Sequence, residues 1–292
     1  MNIFASLLSK VVGLFFWLMP PFVRWGWARF MAWLWFDALR IRRFTVLRNL
    51  TIAFPDLSKE QKLTIARQSM RNLCYNFVEI CLLPFESNKT ISDKTRFYGL
   101  EHFNEALLAK KGVLILSQHV GNGDVGVVRL VNQKIFFNLI SKKFKNKLAN
   151  DFWFGIREKM GVKFIEPHGN STAFDILKCL KQNQPVAFVL DQFMSIPYGI
   201  ETEFFGRKTG TAYGLALFAI RTGAPVVPVH VYRDSDFITH VVFEKPLPLI
   251  ENPDKDTQIK LLTQSYNDKI EAIVRQYPDQ WMWVHRRWKV FG

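Results

Sequence analysis

Short apolar runs alternate with helical patterns through the middle of this chain, and this order restricts the fold more than any other feature. Strand-like runs are predicted at 113–116, 135–140, 162–165, 186–190 and 226–232. Helical patterns lie between them at 125–131, 145–160, 172–181 and 212–222, the last one after a loop. Apolar strands that alternate with helices are typical of a parallel sheet covered on both faces. The sequence therefore predicts the α/β class, with a mainly parallel central sheet flanked by helices.

Three further elements complete the predicted domain. Ser58 and Gln61 form a capping-box pattern that opens a helix reaching about Leu83, and Pro84 ends it. A strand at 238–243 and a helix at 257–276 follow the alternating part. The chain has 292 residues and no internal repeat or flexible linker. We therefore predict one α/β domain over residues 44–292, long enough to bury a substantial core.

The first 43 residues have a different composition, because they hold five of the nine tryptophans and six Lys or Arg residues against one acidic residue. Tryptophan and Arg within an apolar segment suit the headgroup region of a bilayer. The uncharged run 11–23 spans only about 20 Å as a helix, less than the hydrocarbon core, and Pro20 and Pro21 interrupt it. We predict that residues 1–43 are an N-terminal membrane-anchoring helical segment that lies in the interface or re-enters it. A single tilted span over about 11–39 is the alternative.

The polar sequence after the run 113–116 is the strongest candidate for a catalytic site. It reads SQHVGNGD, and it places His119 and Asp124 at the carboxyl end of a strand, where open α/β sheets bind ligands. A carboxylate can hold one ring N–H of an imidazole and leave the other nitrogen free to accept a proton. We interpret His119 as a general base and Asp124 as the acid that orients it. The plainer alternative is a capping Asp beside a surface His.

Four other polar residues are candidates for substrate binding. Asp191 and Gln192 follow the run 186–190, so they share the sheet edge of His119. Arg157 can clamp a phosphate or a carbonyl, or it lies on a solvated helix face. Arg207, together with Lys208 and the start of the next helix near Thr211, would form an anion site.

Composition narrows the function classes. The formal net charge of +14 favours an anionic partner, which includes nucleic acid, an anionic membrane and an acidic protein. A nucleic-acid-binding protein would need an aromatic and basic reading motif, which residues 44–292 lack. A membrane scaffold would not explain the spacing of His119 and Asp124. No nucleophile elbow, Walker A sequence or zinc-ligand spacing occurs, which disfavours hydrolases, NTPases and zinc enzymes.

Several motifs together resemble one family. They are RNLTIAFPDLS at 48–58, the stretch from Asp191 to Gly206, RTGAPVVPV at 221–229 and YPDQWMWVHRRWK at 277–289. With the His119 motif, they are similar to the bacterial lipid A biosynthesis acyltransferases, within the wider lysophospholipid and glycerolipid acyltransferases. The resemblance covers nearly the whole chain. One departure is that this chain has Gly123 and Asp124 where the family commonly has a bulky aromatic residue and a Glu.

The resemblance implies a membrane-associated enzyme at the cytoplasmic face of the inner membrane. It implies acyl transfer from acyl carrier protein to a hydroxyl of a lipid A precursor, with no cofactor, no metal and no nucleic acid. His119 would deprotonate the hydroxyl and Asp124 would orient His119, while Arg157, Asp191, Gln192 and Arg207 would bind substrate. Another glycolipid or a lysophospholipid is the alternative acceptor. The basic patch Lys142, Lys143, Lys145 and Lys147 suits an acidic carrier protein.

Overall fold

A seven-stranded sheet lies at the centre of the computed structural model, which describes residues 3–291. Met1 and Asn2 of the predicted anchor and Gly292 of the predicted domain lie outside the described residues. The strands are β1 (Thr95–Tyr98), β2 (Val113–Ser117), β3 (Asn138–Ile140), β4 (Lys163–Ile165), β5 (Pro185–Val189), β6 (Gly199–Phe204), β7 (Arg207–Ala212), β8 (Val226–Arg233) and β9 (Thr239–Phe243).

Helices cover the sheet and form the amino-terminal part of the chain. They are α1 (Ile3–Leu18), α2 (Pro21–Trp33), α3 (Arg43–Ala53), α4 (Lys59–Leu82), α5 (Asn88–Asp93), α6 (Leu100–Leu108), α7 (Gly123–Asn132), α8 (Lys147–Lys159), α9 (Thr172–Lys181), α10 (Gly214–Thr222) and α11 (Lys255–Gln276). A π-helical turn at Leu34–Ala38 continues α2, and a 3₁₀ turn at Leu83–Phe85 ends α4.

The sheet has the order β1-β9-β8-β2-β5-β3-β4. All neighbouring strands are parallel except β8 and β9, which are antiparallel. The side chains of β2 alternate between two hydrophobic cores. Val113 and Ile115 pack on one face of the sheet, and Leu114 and Leu116 pack on the other. Both faces of the central strands are buried, which explains why β2 and β5 are continuous apolar runs. The predicted α/β class with a mainly parallel sheet flanked by helices is confirmed.

The predicted capping box also forms. The Ser58 hydroxyl accepts a hydrogen bond from the backbone N–H of Gln61, and the Gln61 side chain accepts one from the N–H of Ser58. These two bonds satisfy free N–H groups at the start of α4. Helix α4 then runs for 24 residues and lines the site described below.

One prediction was wrong between β5 and α10. Residues 199–212 were expected to be a loop leading into a helix from 212, but they form the antiparallel hairpin β6–β7, and the helix begins at Gly214. Several inward-facing residues of this hairpin are threonines rather than aliphatic residues. Thr202 and Thr211 are buried and hydrogen-bond to each other and to Asn267 of α11. Because these inward-facing side chains are polar, the sequence of the hairpin lacks the alternation of apolar and polar residues that predicts a strand.

The amino-terminal helices meet at a sharp corner. Pro20 has an extended backbone and Pro21 opens α2, so the prolines end one helix and start the next. Among the described residues no single helix is long and apolar enough to cross a membrane, but the pair Phe4–Leu18 and Pro21–Ala38, bent by 120°, meets the length and composition test together. The bend excludes one straight helix over the predicted alternative span 11–39.

This amino-terminal segment has both a buried and an exposed apolar side. Phe16, Ala28, Ala32 and Phe36 belong to the main hydrophobic core, where α2 packs against α4. Many other apolar side chains of the segment are exposed, and Phe22 at the corner is 77% exposed. The segment therefore supports the fold, and it also presents apolar surface of the kind that enters a lipid interface.

Phe36→Ala and Phe22→Ala separate these two roles. Phe36 is fully buried, so its truncation should lower the free energy of unfolding by about 3–5 kcal/mol, whereas Phe22→Ala should change it by less than about 0.5 kcal/mol. Phe22→Ala should instead weaken binding to lipid vesicles. Denaturant titration in detergent micelles and vesicle co-sedimentation measure the two effects. Equal losses of stability in the two variants would contradict this division.

Candidate active site

The loop between β2 and α7 carries His119 and Asp124. Strand β2 ends at Ser117, and α7 begins at Gly123 after the N-cap residue Asn122, whose side chain accepts the N–H of Val125 at 3.2 Å. Gly121 has a positive φ of 62° and lies directly against the backbone of β8, so a Cβ atom would collide there. The loop is therefore held closely against the sheet edge.

Asp191 holds the imidazole of His119. Its Oδ1 lies 2.8 Å from His119 Nδ1, and its Oδ2 accepts the backbone N–H of His119 at 2.9 Å. Oδ2 also accepts the indole N–H of Trp281 at 2.7 Å. Asp191 is 2% exposed, and it follows β5, the strand next to β2. Adjacent parallel strands thus bring the acid and the histidine together.

The spacing along the chain predicts that Asp124 makes this contact with His119, but the structure places Asp124 elsewhere. Its Oδ1 accepts from Nη1 of Arg157 on α8. Asp124 is in the first turn of α7, directed towards α8, while the Nδ1 side of the imidazole is already occupied by Asp191. The catalytic assignment of Asp124 remains a prediction, but its direct contact is with Arg157.

Arg157 is buried rather than on a solvated helix face. Its Nε donates to the carbonyl of Trp153 at 3.2 Å, and its guanidinium lies 4.6 Å from the ring centre of Phe154 and 4.9 Å from that of Phe164. A buried guanidinium needs a counter-charge, which Asp124 supplies. Within this structure Arg157 therefore fixes the start of α7, and substrate binding by Arg157 remains a prediction.

The charges of His119 and Asp191 stabilise each other. Burial alone would raise the pKa of Asp191, but the charge and hydrogen bonds of His119 and the Trp281 N–H lower it to about 2. Burial alone would lower the pKa of His119, but the charge of Asp191 and its hydrogen bond outweigh burial and raise it, with a smaller contribution from Asp124. Among residues 3–291, His119 Nε2 has no hydrogen-bond partner, and the side chain is 38% exposed. This arrangement suits a base that accepts a proton at Nε2.

Helix α4 supports the loop from the other side. Asn76 donates to the carbonyl of Gly121 at 2.6 Å, and Asn122 donates to Glu79 at 2.8 Å. Arg233 at the end of β8 binds Glu79 through two of its nitrogens and also binds Asn76. The buried charges of this network are paired, so it ties α4, the loop and β8 together. No local sequence pattern indicates these contacts, because the partners are 43 to 157 residues apart.

The carboxyl-terminal segment passes directly over His119. Met282 donates its backbone N–H to the carbonyl of His119 at 3.1 Å, and Val120 pairs with Trp281. Asn49 of α3 holds this segment by donating to the carbonyls of Trp283 and His285. Burial lowers the pKa of His285 to about 4 despite the negative charge of Asp191, so a second, neutral imidazole lies near the site.

Gln192 and Arg207, the remaining predicted site residues, differ in position. Gln192 follows Asp191, and its carbonyl accepts from Arg287 at 3.2 Å. Arg207 is exposed at the tip of the β6–β7 hairpin, where it pairs with Phe204 across the turn. The Arg207 side chain forms no hydrogen bond or ion pair within the described residues, and Lys208 binds Glu201. The predicted anion site at a helix start near Thr211 is wrong, because Thr211 lies in a strand.

An apolar surface borders the loop. Phe77 of α4 follows Asn76, which contacts the loop, and its side chain is about 40% exposed. Its ring stacks near Phe152 and Trp153 of α8 and meets Phe16 of α1 edge-on. Asp124 is linked to this aromatic cluster through Arg157, which also contacts Trp153, and partly exposed aromatic side chains of this kind can accept hydrocarbon.

Comparison with known proteins identifies the family. A family model described as bacterial lipid A biosynthesis acyltransferase matches residues 2–290. The chain belongs to this family. The resemblance inferred from the motifs is thus confirmed, and as a family member the protein is an acyltransferase of the glycolipid-acylating kind.

The proteins related to this acyltransferase are named for more than one class of glycolipid. A phosphatidylinositol mannoside acyltransferase of Mycolicibacterium smegmatis is 24% identical over 77% of this chain and 72% of its own length. A lipid A biosynthesis acyltransferase of Haemophilus influenzae is 20% identical over 81% of this chain and 72% of its own. A lipid A biosynthesis lauroyltransferase of Escherichia coli is 22% identical over 86% of this chain and 80% of its own.

Asp124→Asn should destabilise this acyltransferase. The variant keeps the shape of the side chain but leaves the buried charge of Arg157 without a counter-ion, so we expect the free energy of unfolding to fall by about 3 kcal/mol. Asp93→Asn, at an exposed aspartate without an ion pair among the described residues, is the matched control and should have nearly wild-type stability. Thermal and denaturant unfolding in detergent give the comparison. Wild-type stability of Asp124→Asn would refute the structural role of the pair.

Proposed function

We propose that the protein transfers a fatty acyl chain from acyl carrier protein to a hydroxyl of a lipid A precursor, at the cytoplasmic face of the inner membrane. The observation that carries this proposal is the 2.8 Å contact between His119 Nδ1 and Asp191, which leaves Nε2 without a hydrogen-bond partner among residues 3–291. Membership of the family supports the acyl-transfer chemistry.

The site suggests a direct transfer without an acyl-enzyme. Nε2 of His119 takes the proton of the acceptor hydroxyl as its oxygen attacks the thioester carbonyl carbon. The tetrahedral intermediate then collapses, the C–S bond breaks, and the leaving thiolate receives the proton from the imidazolium. Asp191 keeps Nδ1 protonated and stabilises the imidazolium, while the Asp124–Arg157 pair holds the start of α7. The step needs no metal and no organic cofactor.

The apolar surroundings fit an acceptor that remains in a membrane. Phe16 of α1 contacts the Phe77 ring, so the amino-terminal helices, which also carry exposed apolar side chains, pack beside α4. A lipid whose chains stay in the bilayer would then present its hydroxyl close to His119. Residues 1–43 would hold the enzyme at the interface, and the electrostatic attraction of a +14 protein to anionic lipid would add to it.

A different glycolipid is the second candidate acceptor. The relative from Mycolicibacterium smegmatis is named for a phosphatidylinositol mannoside, and it aligns over 229 residues of this chain. Family membership therefore does not determine which sugar the acceptor lipid carries. A lysophospholipid is a less favoured acceptor, since the names of the related proteins refer to glycolipids.

The basic patch Lys142, Lys143, Lys145 and Lys147 would dock acyl carrier protein, which is acidic. All four side chains are exposed on the segment that leads from β3 into α8. Helix α8 also carries Arg157, so a carrier bound at the patch would lie near the helix that contacts Asp124. Complementary charge mainly increases the rate of association.

Purified protein in detergent should transfer acyl groups from acyl carrier protein to a lipid A precursor, detected by mass spectrometry of the product. His119→Gln should reduce kcat by about 10²- to 10⁴-fold because the base is lost, whereas His102→Gln, on α6, should retain wild-type activity. Because the pKa of His119 is raised above 6.5 and the neutral form is the base, kcat/KM should fall as the pH drops through a value above 6.5.

Two results would contradict the proposal. If the enzyme acylates phosphatidylinositol mannoside or a lysophospholipid but leaves the lipid A precursor unchanged, the proposed acceptor is wrong. Activity of His119→Gln close to that of wild type would end the proposed mechanism.

Charge reversal at Lys142 and Lys145 tests the donor. We expect a several-fold lower kcat/KM with acyl carrier protein at low salt and a smaller dependence on ionic strength, because screening acts over about 8 Å at physiological salt. Reversal at Lys255 and Lys260, two exposed lysines of α11, is the matched control. Two results would contradict docking of acyl carrier protein at this patch. One is an equal kcat/KM with acyl-coenzyme A, and the other is an equal kcat/KM of the two double variants with acyl carrier protein.

A further inference from the structure

Among residues 3–291, Trp281 is the one hydrogen-bond donor to the Asp191 carboxylate that lies outside the His119 loop. Its indole N–H reaches Oδ2 at 2.7 Å, and the residue is 1% exposed. Oδ1 faces His119 Nδ1, so the two side-chain contacts lie on different oxygens of the same carboxylate. Trp281 is therefore too deeply buried to contact a substrate. Only the Asp191 carboxylate lies between its indole N–H and the imidazole of His119.

We propose that Trp281 is a positioning residue for His119, acting through the Asp191 carboxylate. This inference rests on the proposed function, in which His119 is the base. The terminal torsion of an Asp side chain is broad, and both donors from His119 belong to the loop that the carboxylate has to position. The indole N–H of Trp281 is a further donor on Oδ2 that comes from a separate, closely packed part of the chain, so it sets the plane of the carboxylate independently of the loop, and with it the direction of the imidazole.

The packing of Trp281 makes the indole suitable for this role. Its ring meets that of Trp283 edge-on at 4.5 Å between centres, and Phe204 and Trp288 lie 5.8 and 6.2 Å away. An indole enclosed by three large rings has one orientation. The next residue, Met282, donates to the carbonyl of His119, so the same segment positions both the backbone of His119 and its acid partner.

Trp281→Phe removes the N–H and keeps an aromatic ring, and Trp288→Phe is the matched control. Trp288 lies in the same cluster and also donates its indole N–H to a buried partner, the carbonyl of Phe204 at 2.9 Å, without contacting Asp191. The two variants should lose similar stability. Only Trp281→Phe should lower kcat, by about 10- to 100-fold, with KM nearly unchanged because the residue does not touch substrate.

The pH dependence distinguishes positioning from a merely structural role. Loss of the indole donor leaves more negative charge on the carboxylate facing His119. The pKa of His119, followed by NMR of labelled histidine and assigned with His119→Gln, should therefore rise by about 0.5 unit or more in Trp281→Phe and remain at the wild-type value in Trp288→Phe. The acidic limb of the kcat/KM profile should move in the same direction.

A double-mutant cycle with Asp191→Asn tests the route. If Trp281 acts through Asp191, Trp281→Phe should have little further effect on kcat once the carboxylate is gone. Should Trp281→Phe fail to fold, a benzothienyl analogue at position 281 keeps the ring size without the N–H and replaces it. The NMR titration does not require enzyme turnover. An inactive wild-type enzyme would therefore refute the proposed function but not the coupling of Trp281 to His119. Identical His119 titrations in the two Trp variants would overturn the inference.

Discussion

The Asp191 carboxylate is the group on which the arrangement of this site depends. A buried, ionised carboxylate costs several kcal/mol unless donors replace its water. Here the donors are His119 Nδ1, the backbone N–H of His119 and the indole of Trp281, and together they outweigh burial and hold its pKa at about 2. Because these donors come from distant parts of the chain, the carboxylate is fully stabilised only when β2, β5 and the carboxyl-terminal segment are all in place.

Three of the motifs that carry the family resemblance are joined through the carboxyl-terminal segment, which also supplies the Trp281 donor to this carboxylate. Asn49 of the motif at 48–58 donates to two carbonyls of the motif at 277–289, at 2.8 and 2.7 Å. In the latter motif, Arg287 is buried and donates to Gln192 and Gly210, so it joins the loop after β5 to the β6–β7 hairpin. Their shared physical role is to hold the carboxyl-terminal segment over His119.

Local patterns predicted most of the elements and the position of His119. The strand–loop–helix from β2 to α7 has apolar residues, a glycine and an N-cap in its own sequence, so no distant contact is needed to recognise it. The hairpin β6–β7 was missed because its core is made of threonines bound to Asn267 and Arg287. The partner of His119 was assigned to Asp124 because spacing along the chain is visible in a sequence, whereas the pairing of β2 with β5, which delivers Asp191, is not.

The two carboxylates near His119 have different electrostatic roles. Asp191 faces the imidazole directly, at 2.8 Å from Nδ1, so its negative charge acts on His119 at short range. Asp124 is paired with the guanidinium of Arg157, and at a distance such a pair acts as a dipole whose field is weaker than that of a single charge. This accounts for the order of their effects on the pKa of His119, in which Asp191 dominates and Asp124 contributes less. The four residues between His119 and Asp124 place this acid in the first turn of α7, where it meets both the helix dipole and Arg157.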